Sequence, residues 1–533
     1  MMHIIREQYL HVELKGTEAD GLALQCRLPD LFQHWVMPAI EGVFERCAPP
    51  DRHLYIERLE MDAVTIALER LEQDLAEAVA QTLDKSLREH IPLGESHPPI
   101  ISGTIEHKTS QQVIQEVFIH FLETGSLPWS FRLPEGSNLE QVILGLWREA
   151  AKSGLNPLAG SDAVLRVLAG AAARKRLIRQ FSPALLETLL SLISPVGKKV
   201  MDTVLQTLGH AEAPSVLRKY FAQQLWETAF AQTASRRAIT ATNLVGEAWG
   251  TLPEAVAGHT SLADVVERLW PDITNRAPDS AHRMEGNEPT PPHLVGPDKA
   301  QIISNGHPDV GEDIFHEPIM PNPPTPDKTP IGRDKSFVAG EGIDSEPMPS
   351  NLPGSNKTPI IRSVHPGAGE GIYVENAGLV LLHPFLPQFF ESLGIAAAEN
   401  LLQPERALCV LHFLSTGQDI APEYELVLPK ILCNIPLLSP VETDLQPTGP
   451  EKEEAVALLK AVIRHWEALR NSSPDGLRGT FLLRPGKVSE REDGDWLLQV
   501  ESRTFDILLQ QLPWGISMIQ LPWMKRMLWV EWG

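Results

Sequence analysis

The feature that most constrains the fold of this 533-residue chain is a long segment poor in core-forming residues. Residues 276–372 hold 17 of the 45 prolines and 11 glycines, but no Trp or Tyr and only two Phe. This composition cannot bury enough apolar area to offset the entropy cost of ordering the backbone. We therefore predict a disordered, extended linker with folded regions on both sides of it.

The linker sequence repeats, loosely, with a period of 29 residues. Pro-Asp-Lys occurs at 297–299 and 326–328, and Gly-Glu occurs at 311–312, 340–341 and 369–370. Two interpretations stay open: replication slippage in an unconstrained linker, or a repeated unit that sets length or docks a partner. In a polyproline II conformation, at about 3.1 Å per residue, one unit would span roughly 90 Å.

Apolar periodicity on either side of the linker predicts an α+β protein that is predominantly α-helical. We expect a small β-α-β-α module at 1–95, a helical region at 96–275, the linker at 276–372, and an α+β domain at 373–533. In the first module, strands are expected at 4–14 and from residue 54. A leucine stripe from Leu71 to Leu87, at four-residue spacing, predicts an amphipathic helix.

In the helical region, Thr124-Gly125 is a helix C-terminal signal. The basic run 174–176 is interpreted as a solvated helix face rather than a nucleic-acid contact. Helices are expected at 111–122, 139–151, 163–180, 183–193, 200–208, 217–231 and 241–249. In the C-terminal domain, helices are expected within 374–395 and at 404–414 (ended by Thr416-Gly417), 422–432, 453–470 and 505–512, and strands at 477–483, 496–500, 516–520 and 527–532.

The last thirty residues, 504–533, contain four tryptophans and two copies of Leu-Pro-Trp. So many large apolar side chains either pack as the keystone of the C-terminal domain or form a surface for a partner. Both interpretations stay open. The candidate interface residues are Leu512, Trp514, Leu521, Trp523, Trp529 and Trp532.

Charge and cysteine content exclude several classes of protein. The net charge is 46 − 69 = −23, which argues against nucleic acid and against anionic membrane surfaces as partners. Cys26, Cys47, Cys409 and Cys433 are far apart and predict small buried side chains in a cytosolic chain, without disulfides or a zinc site. We find no signal peptide pattern and no apolar run long enough to span a membrane.

No arrangement of residues predicts catalysis, a metal or a cofactor. Glu57, Glu60 and Asp62 lack histidine or further acidic partners at ligand spacing, and a solvated strand face explains them better. His383, His412 and His465 are far apart, and each is expected to be a satisfied core or surface histidine. We therefore expect no enzyme.

Several sequence blocks together resemble one family. They are HIIREQYLHVELKGTEADGLALQCRLPDLF near the start, FLETGSLPW at 121–129, NAGLVLLHPFLPQFF at 376–390, ERALCVLHFLSTG at 405–417, ELVLPKILCNIP at 425–436, HWEALRNSSPDGLRGTFLLRPG at 465–486 and DILLQQLPWGISMIQLPWMKRMLWVEW at 506–532. They are similar to tape-measure proteins of phage-tail-like contractile injection systems. The resemblance covers most of 1–250 and 372–533 but not the linker, and LEMDAVTIA at 59–67 departs from it, because Leu-Gly is expected after the Asp.

The resemblance implies a non-catalytic assembly protein that sets the length of the inner tube. Its expected partners are the inner tube protein, the baseplate or spike components and the tube-terminating cap. It would be cytoplasmic during assembly and then lie in the lumen of a particle that can be released from the cell. The alternative is a chaperone or adaptor that assists baseplate assembly or cargo loading without spanning the tube.

Overall fold

The computed structural model describes residues 5–90, 105–270 and 371–532, apart from 6–7, 9, 48–51, 57–58, 60, 62–64, 135, 155–156, 159–161, 210–213, 254–262, 264–265, 269 and 443–444. Residues 1–277 and 368–533 belong to one unit, and residues 278–367 are assigned to another. The predicted linker and its 29-residue repeats therefore lie almost wholly outside the described residues. None of the helices in the described part of the chain combines the length and the hydropathy that a membrane span requires.

The N-terminal module begins with two helices joined by a π-helical turn. Its elements are α1 (Glu18–Leu31), the π turn (Phe32–Val36), α2 (Met37–Cys47), β1 (Arg52–Ile56) and α3 (Leu71–His90). A capping box between Thr17 and Asp20 satisfies backbone donors at the start of α1. Leu83 and Leu87 of the predicted stripe are buried against the π turn and α2.

Two sequence-based expectations fail in this module. The described residues of the strand predicted at 4–14 are not paired in a sheet. Leu10 and Val12 are exposed, so their side chains do not pack against a core that would stabilise a strand there. Cys26 is exposed and Cys47 is partly exposed, whereas Cys409 and Cys433 are buried as predicted. All four cysteines are free.

The helical region starts with β2 (Ile105–Thr109), which pairs antiparallel with β1. The helices that follow are α4 (Ser110–Thr124), α5 (Leu139–Lys152), α6 (Asp162–Leu168), α7 (Ala171–Gln180), α8 (Pro183–Ile193), α9 (Pro195–Gly209), α10 (Ser215–Ala234) and α11 (Ala241–Gly250). They enclose one core that includes Phe118, Phe121 and Phe230. The single helix predicted at 163–180 is instead α6 and α7, because the extended Gly170 interrupts it.

The C-terminal region packs helices against a five-stranded mixed sheet. Its helices are a 3₁₀ helix (Ala377–Leu382), α12 (Leu386–Ser392), α13 (Pro404–Thr416), 3₁₀ turns at Glu423–Glu425 and Glu467–Leu469, α14 (Val427–Leu432), α15 (Gly449–His465), α16 (Pro474–Leu477), a π turn (Arg478–Leu482) and a 3₁₀ helix (Thr504–Gln511). Its strands are β3 (Ile372–Val374), β4 (Ala396–Ala397), β5 (Asn400–Leu401), β6 (Gly486–Glu490), β7 (Trp496–Val500), β8 (Met518–Ile519) and β9 (Leu528–Trp532). The sheet order is β3-β6-β7-β9-β8, with β7 and β9 parallel and the other pairs antiparallel, while β4 and β5 form a separate pair.

One predicted strand of this region is helical. The stretch 477–483 forms the end of α16 and the π turn rather than a strand. The stretch was predicted as a strand, but Arg478 donates hydrogen bonds to backbone carbonyls at the end of α13, and this contact holds the helical turn. The predominantly α-helical α+β fold is confirmed.

Candidate functional site: a charged junction between the helical and C-terminal regions

A buried carboxylate joins the C-terminal region to the helical region. Glu423 is fully buried and lies between two cations, Arg176 of α7 and Lys430 of α14. Arg176 Nε is 3.1 Å from Glu423 Oε2, close enough for an ion pair although not aligned as a hydrogen bond. Lys430 Nζ donates to Glu423 Oε1 at 2.6 Å. Buried charges require such compensation, because each is costly to remove from water alone.

The two cations are also bound to backbone carbonyls. Lys430 Nζ donates to Leu437 O at 3.0 Å and to Ser439 O at 2.8 Å, which uses all three of its donors. Burial lowers the pKa of Lys430, and the Glu423 carboxylate opposes that shift. Arg176 Nη1 donates to Leu122 O at 2.5 Å within the helical region, and Nη2 donates to Leu438 O at 2.7 Å in the C-terminal region.

Polar backbone contacts extend the junction around Glu423. Gln180 uses both ends of its amide, because Oε1 accepts from Glu423 N at 2.9 Å and Nε2 donates to Val441 O at 3.0 Å. Arg179 Nε pairs with Glu442 at 2.9 Å on the partly exposed rim. We call this set of contacts, centred on Arg176 and Glu423, the junction.

An aromatic contact and a third ion pair between the two regions add to the junction. Tyr424 packs edge-on against Phe121, with ring centroids 6.0 Å apart, and thereby touches the core of the helical region. Burial raises the pKa of Tyr424. Arg132 pairs with Glu375 and lies over the Tyr373 ring, 5.7 Å from its centroid. The junction therefore joins residues about 250 positions apart in the sequence through charge, hydrogen bonds and apolar packing.

Gly125 brings Glu423 close to the end of α4. Its φ of +77° is left-handed, and its N–H donates to Phe121 O at 2.8 Å to end the helix. A Cβ at this position would lie 2.5 Å from Glu423 Oε1 and 3.0 Å from Arg176 Nε. The predicted helix stop at Thr124-Gly125 is confirmed, and the glycine also gives the carboxylate room.

The same helix ending is built a second time at α13. Residues 120–125 read HFLETG and residues 412–417 read HFLSTG. Gly417 has a φ of +74°, and its N–H donates to Phe413 O at 2.8 Å. In each copy the threonine Oγ donates to the histidine O at 2.8 Å and accepts from the N–H after the glycine, at 3.2 Å in the first copy and 3.0 Å in the second.

Each helix ending is held by an arginine from a later element. Arg176 takes this role at Leu122 O, and Arg478 donates to Leu414 O at 3.1 Å and Phe413 O at 3.3 Å. The acid partners differ: Arg176 is paired with the distant, buried Glu423, whereas Arg478 Nη1 donates to Asp475, whose side chain is 88% exposed. The two endings share one local design but are completed in different ways.

The structure places the six predicted interface residues in and around the C-terminal core. Leu521 and Trp523 are buried, while the other four are partly exposed. All four indole N–H groups donate within the chain: Trp514 to Leu381 O at 3.1 Å, Trp523 to Leu432 O at 2.8 Å, Trp529 to Asp495 at 3.2 Å and Trp532 to Asp506 at 3.2 Å. Trp523 also stacks on Phe390. A role for these residues at a partner surface stays a prediction.

The sequence did not reveal the junction. Arg176 belongs to the basic run 174–176, which was expected to be solvated. That expectation is wrong for Arg176, which is fully buried. Of the three residues in the run, only Lys175 is exposed. The repeated HFLxTG pattern was the available signal, since it marks two equivalent helix ends where a buried arginine binds. His412, expected to be satisfied, bonds Glu425 Oε2 at 2.7 Å.

The junction has the properties of a structural contact, since its charged groups pair with one another. Comparisons with curated proteins and with solved structures gave no match. The family model described as contractile injection system tape measure protein matches residues 2–532, and the chain belongs to that family.

Proposed function

We propose that this tape-measure protein sets the length of the inner tube by bridging the baseplate or spike complex and the end of the tube, as a structural component without catalytic activity. The family match over nearly the whole chain carries the proposal. The proline- and glycine-rich stretch at 276–372 supports it, because such a composition suits a span that can be extended. At about 3.3 Å per residue, its 97 residues would reach roughly 320 Å.

The partners in this proposal are the inner tube protein, the baseplate or spike components and the tube-terminating cap. The net charge of −23 suits a basic lumen. The chain would be cytoplasmic during assembly and would then lie in the lumen of the particle. Neither a nucleic acid nor a membrane is part of the proposal.

Deletion of one repeat unit tests the length function. Removing residues 297–325 in frame should shorten every tube by a fixed increment, at most about 90 Å for polyproline II, measured by electron microscopy. A matched control scrambles the same 29 residues and keeps their number. Equal tube lengths in the deletion variant and the wild type would rule out the linker as the measuring element.

The C-terminal region offers the surface for one of these partners in our proposal. Beside the partly exposed members of the predicted interface, Phe505 is 61% and Ile507 66% exposed on a 3₁₀ helix that buries none of its residues. The double variant Phe505→Ser/Ile507→Ser should keep the fold, by circular dichroism, yet lower incorporation into particles. Val196→Ser/Val216→Ser is the matched control, since both valines are exposed in the helical region. Equal incorporation of both variants would remove this surface from the proposal.

One observation favours the alternative function, a chaperone or adaptor that does not span the tube. The helical and C-terminal regions contact each other through the junction, so this conformation has not separated them. The alternative predicts that purified mature particles lack the chain. Quantitative mass spectrometry of the particles distinguishes the two functions, because a bridging protein must remain in stoichiometric amount.

A further inference from the structure

We propose that the junction is a latch that holds the free chain folded back on itself and opens when the chain is built into the particle. This inference rests on the proposed bridging function. It adds a conformational step that the function itself does not contain. Four observations carry it: the position of the junction in the sequence, its charges, the comparison of the two helix endings, and the long span that it closes.

The junction clamps the chain on both sides of the linker. Trp270 is the last described residue before the linker and Gly371 the first after it, and Glu375, only four residues later, already pairs with Arg132. While these contacts hold, the residues between 271 and 370 begin and end on the same unit. Lengthening that segment would then leave the distance between the two regions unchanged. If this segment sets the tube length, the contacts of the junction must be broken first.

Opening leaves only one fully buried charge, Arg176, without its carboxylate partner, because the other ion pairs across the junction, Arg179–Glu442 and Arg132–Glu375, are partly exposed. Glu423 and Lys430 both belong to the C-terminal region and remain paired with each other, and Lys430 keeps its bonds to Leu437 O and Ser439 O. Arg176 loses Glu423 and Leu438 O but keeps Leu122 O. Opening also lets water reach Arg176, which offsets part of the lost pairing, because burying an ion pair costs much of what the pair returns.

The end of α13 shows what the end of α4 would be like without its distant acid, Glu423. Arg478 holds the end of α13 with two backbone carbonyls and the local, exposed Asp475. A carboxylate supplied from far along the sequence is therefore not required to form this kind of helix ending. Glu423 instead joins two regions, and a contact of that kind can open while each region keeps its own core.

Opening needs a partner that binds the open chain better than the closed one, because a ligand shifts a conformational equilibrium only by its differential affinity. The closed state is favoured in the free chain because the linker keeps the two surfaces at high effective concentration. Binding of the two regions to separate parts of the particle would supply the difference. The latch would thereby keep the linker from being extended before assembly begins.

Thiol cross-linking of the full chain tests the latch. In a background with Cys26 and Cys47 changed to Ser, the pair Arg132→Cys/Glu375→Cys reports the closed junction through a short bis-maleimide reagent. Free chain and purified particles are treated alike, and linked peptides are identified by mass spectrometry. The control pair is Arg237→Cys/Glu247→Cys, at an ion pair within the helical region that should be close in both samples.

The expected result is that both pairs link in the free chain and that only the control pair links in particles. Adding Glu423→Gln should cause loss of the junction link in the free chain while circular dichroism is unchanged. A junction link that persists in particles overturns the latch and leaves the bridging function intact. Absence of both the control link and the chain's peptides from particles refutes the bridging function itself, and the latch with it.

Discussion

The ends of α4 and α13 show how one local design serves two different tasks. Both end in a left-handed glycine after HFLxT, and both present carbonyls to a buried arginine. At α13 the carboxylate that pairs with Arg478 is Asp475, only three residues away in the sequence. At α4 it comes from Glu423, in another region of the chain. The difference teaches that local sequence builds the helix end, whereas the distant acid decides which regions are joined.

Removing the acid at each end should give the largest contrast. Glu423→Ala leaves Arg176 and Lys430 buried without a carboxylate, and we expect a loss of about 3–5 kcal/mol in the free energy of unfolding. Asp475→Ala should cause no measurable loss, because that side chain is solvated. Urea unfolding followed by tryptophan fluorescence gives both values. Similar losses at the two positions would show that the endings are energetically equivalent and would break the comparison.

Exchanging the variable residue of HFLxTG should give the next largest effect. Ser415 is fully buried and donates to Leu411 O and His412 O, so Ser415→Glu would place an unpaired carboxylate near the negative end of a helix. We expect about 3 kcal/mol or more of destabilisation. Glu123→Ser in the first copy should be tolerated, since Glu123 is exposed. Differential scanning fluorimetry of both variants measures the contrast, and a stable Ser415→Glu chain would contradict it.

The two glycines should differ by a smaller amount. Gly417→Ala should cost about 1–2 kcal/mol for a left-handed alanine, because its Cβ meets nothing closer than 3.4 Å. Gly125→Ala should cost about 1–3 kcal/mol more, since its Cβ would press on Glu423. In a double-mutant cycle with Glu423→Ala, measured by urea unfolding, this extra destabilisation by Gly125→Ala should disappear. An excess that survives without the Glu423 side chain would assign the crowding to another neighbour.

The smallest expected effect is a dependence on pH at Glu123. Partial desolvation raises the pKa of this largely exposed carboxyl above its ordinary value, and the charge of Arg166 opposes the shift. The folded state therefore holds this proton more tightly than the unfolded state, so stability falls as pH rises from about 4.5 through the folded pKa. Glu123→Gln should gain stability relative to wild type between pH 4 and pH 6, and Ser415→Ala should show no such trend. If the free energies of unfolding of Glu123→Gln and wild type differed by the same amount at every pH, the predicted pH dependence would be wrong.

Local signals in the sequence identified most helices and both helix stops. Thr124-Gly125 and Thr416-Gly417 were predicted correctly, because a left-handed glycine cap depends on neighbouring residues alone. The burial of Arg176 was not predicted, since it depends on an acid 247 residues away that no periodicity marks. The π turn at 478–482 was mistaken for a strand for the same reason, because the carbonyls that hold Arg478 come from α13.

The outer strands of the C-terminal sheet have a consequence for how this region associates. β3 has three residues and β8 has two, so each edge offers few unpaired amide and carbonyl groups. Short edges discourage strand addition and edge-to-edge aggregation. A neighbour that approaches either of these short strands finds few backbone groups to pair with, so its selectivity for them depends on side-chain shape and charge rather than backbone pairing.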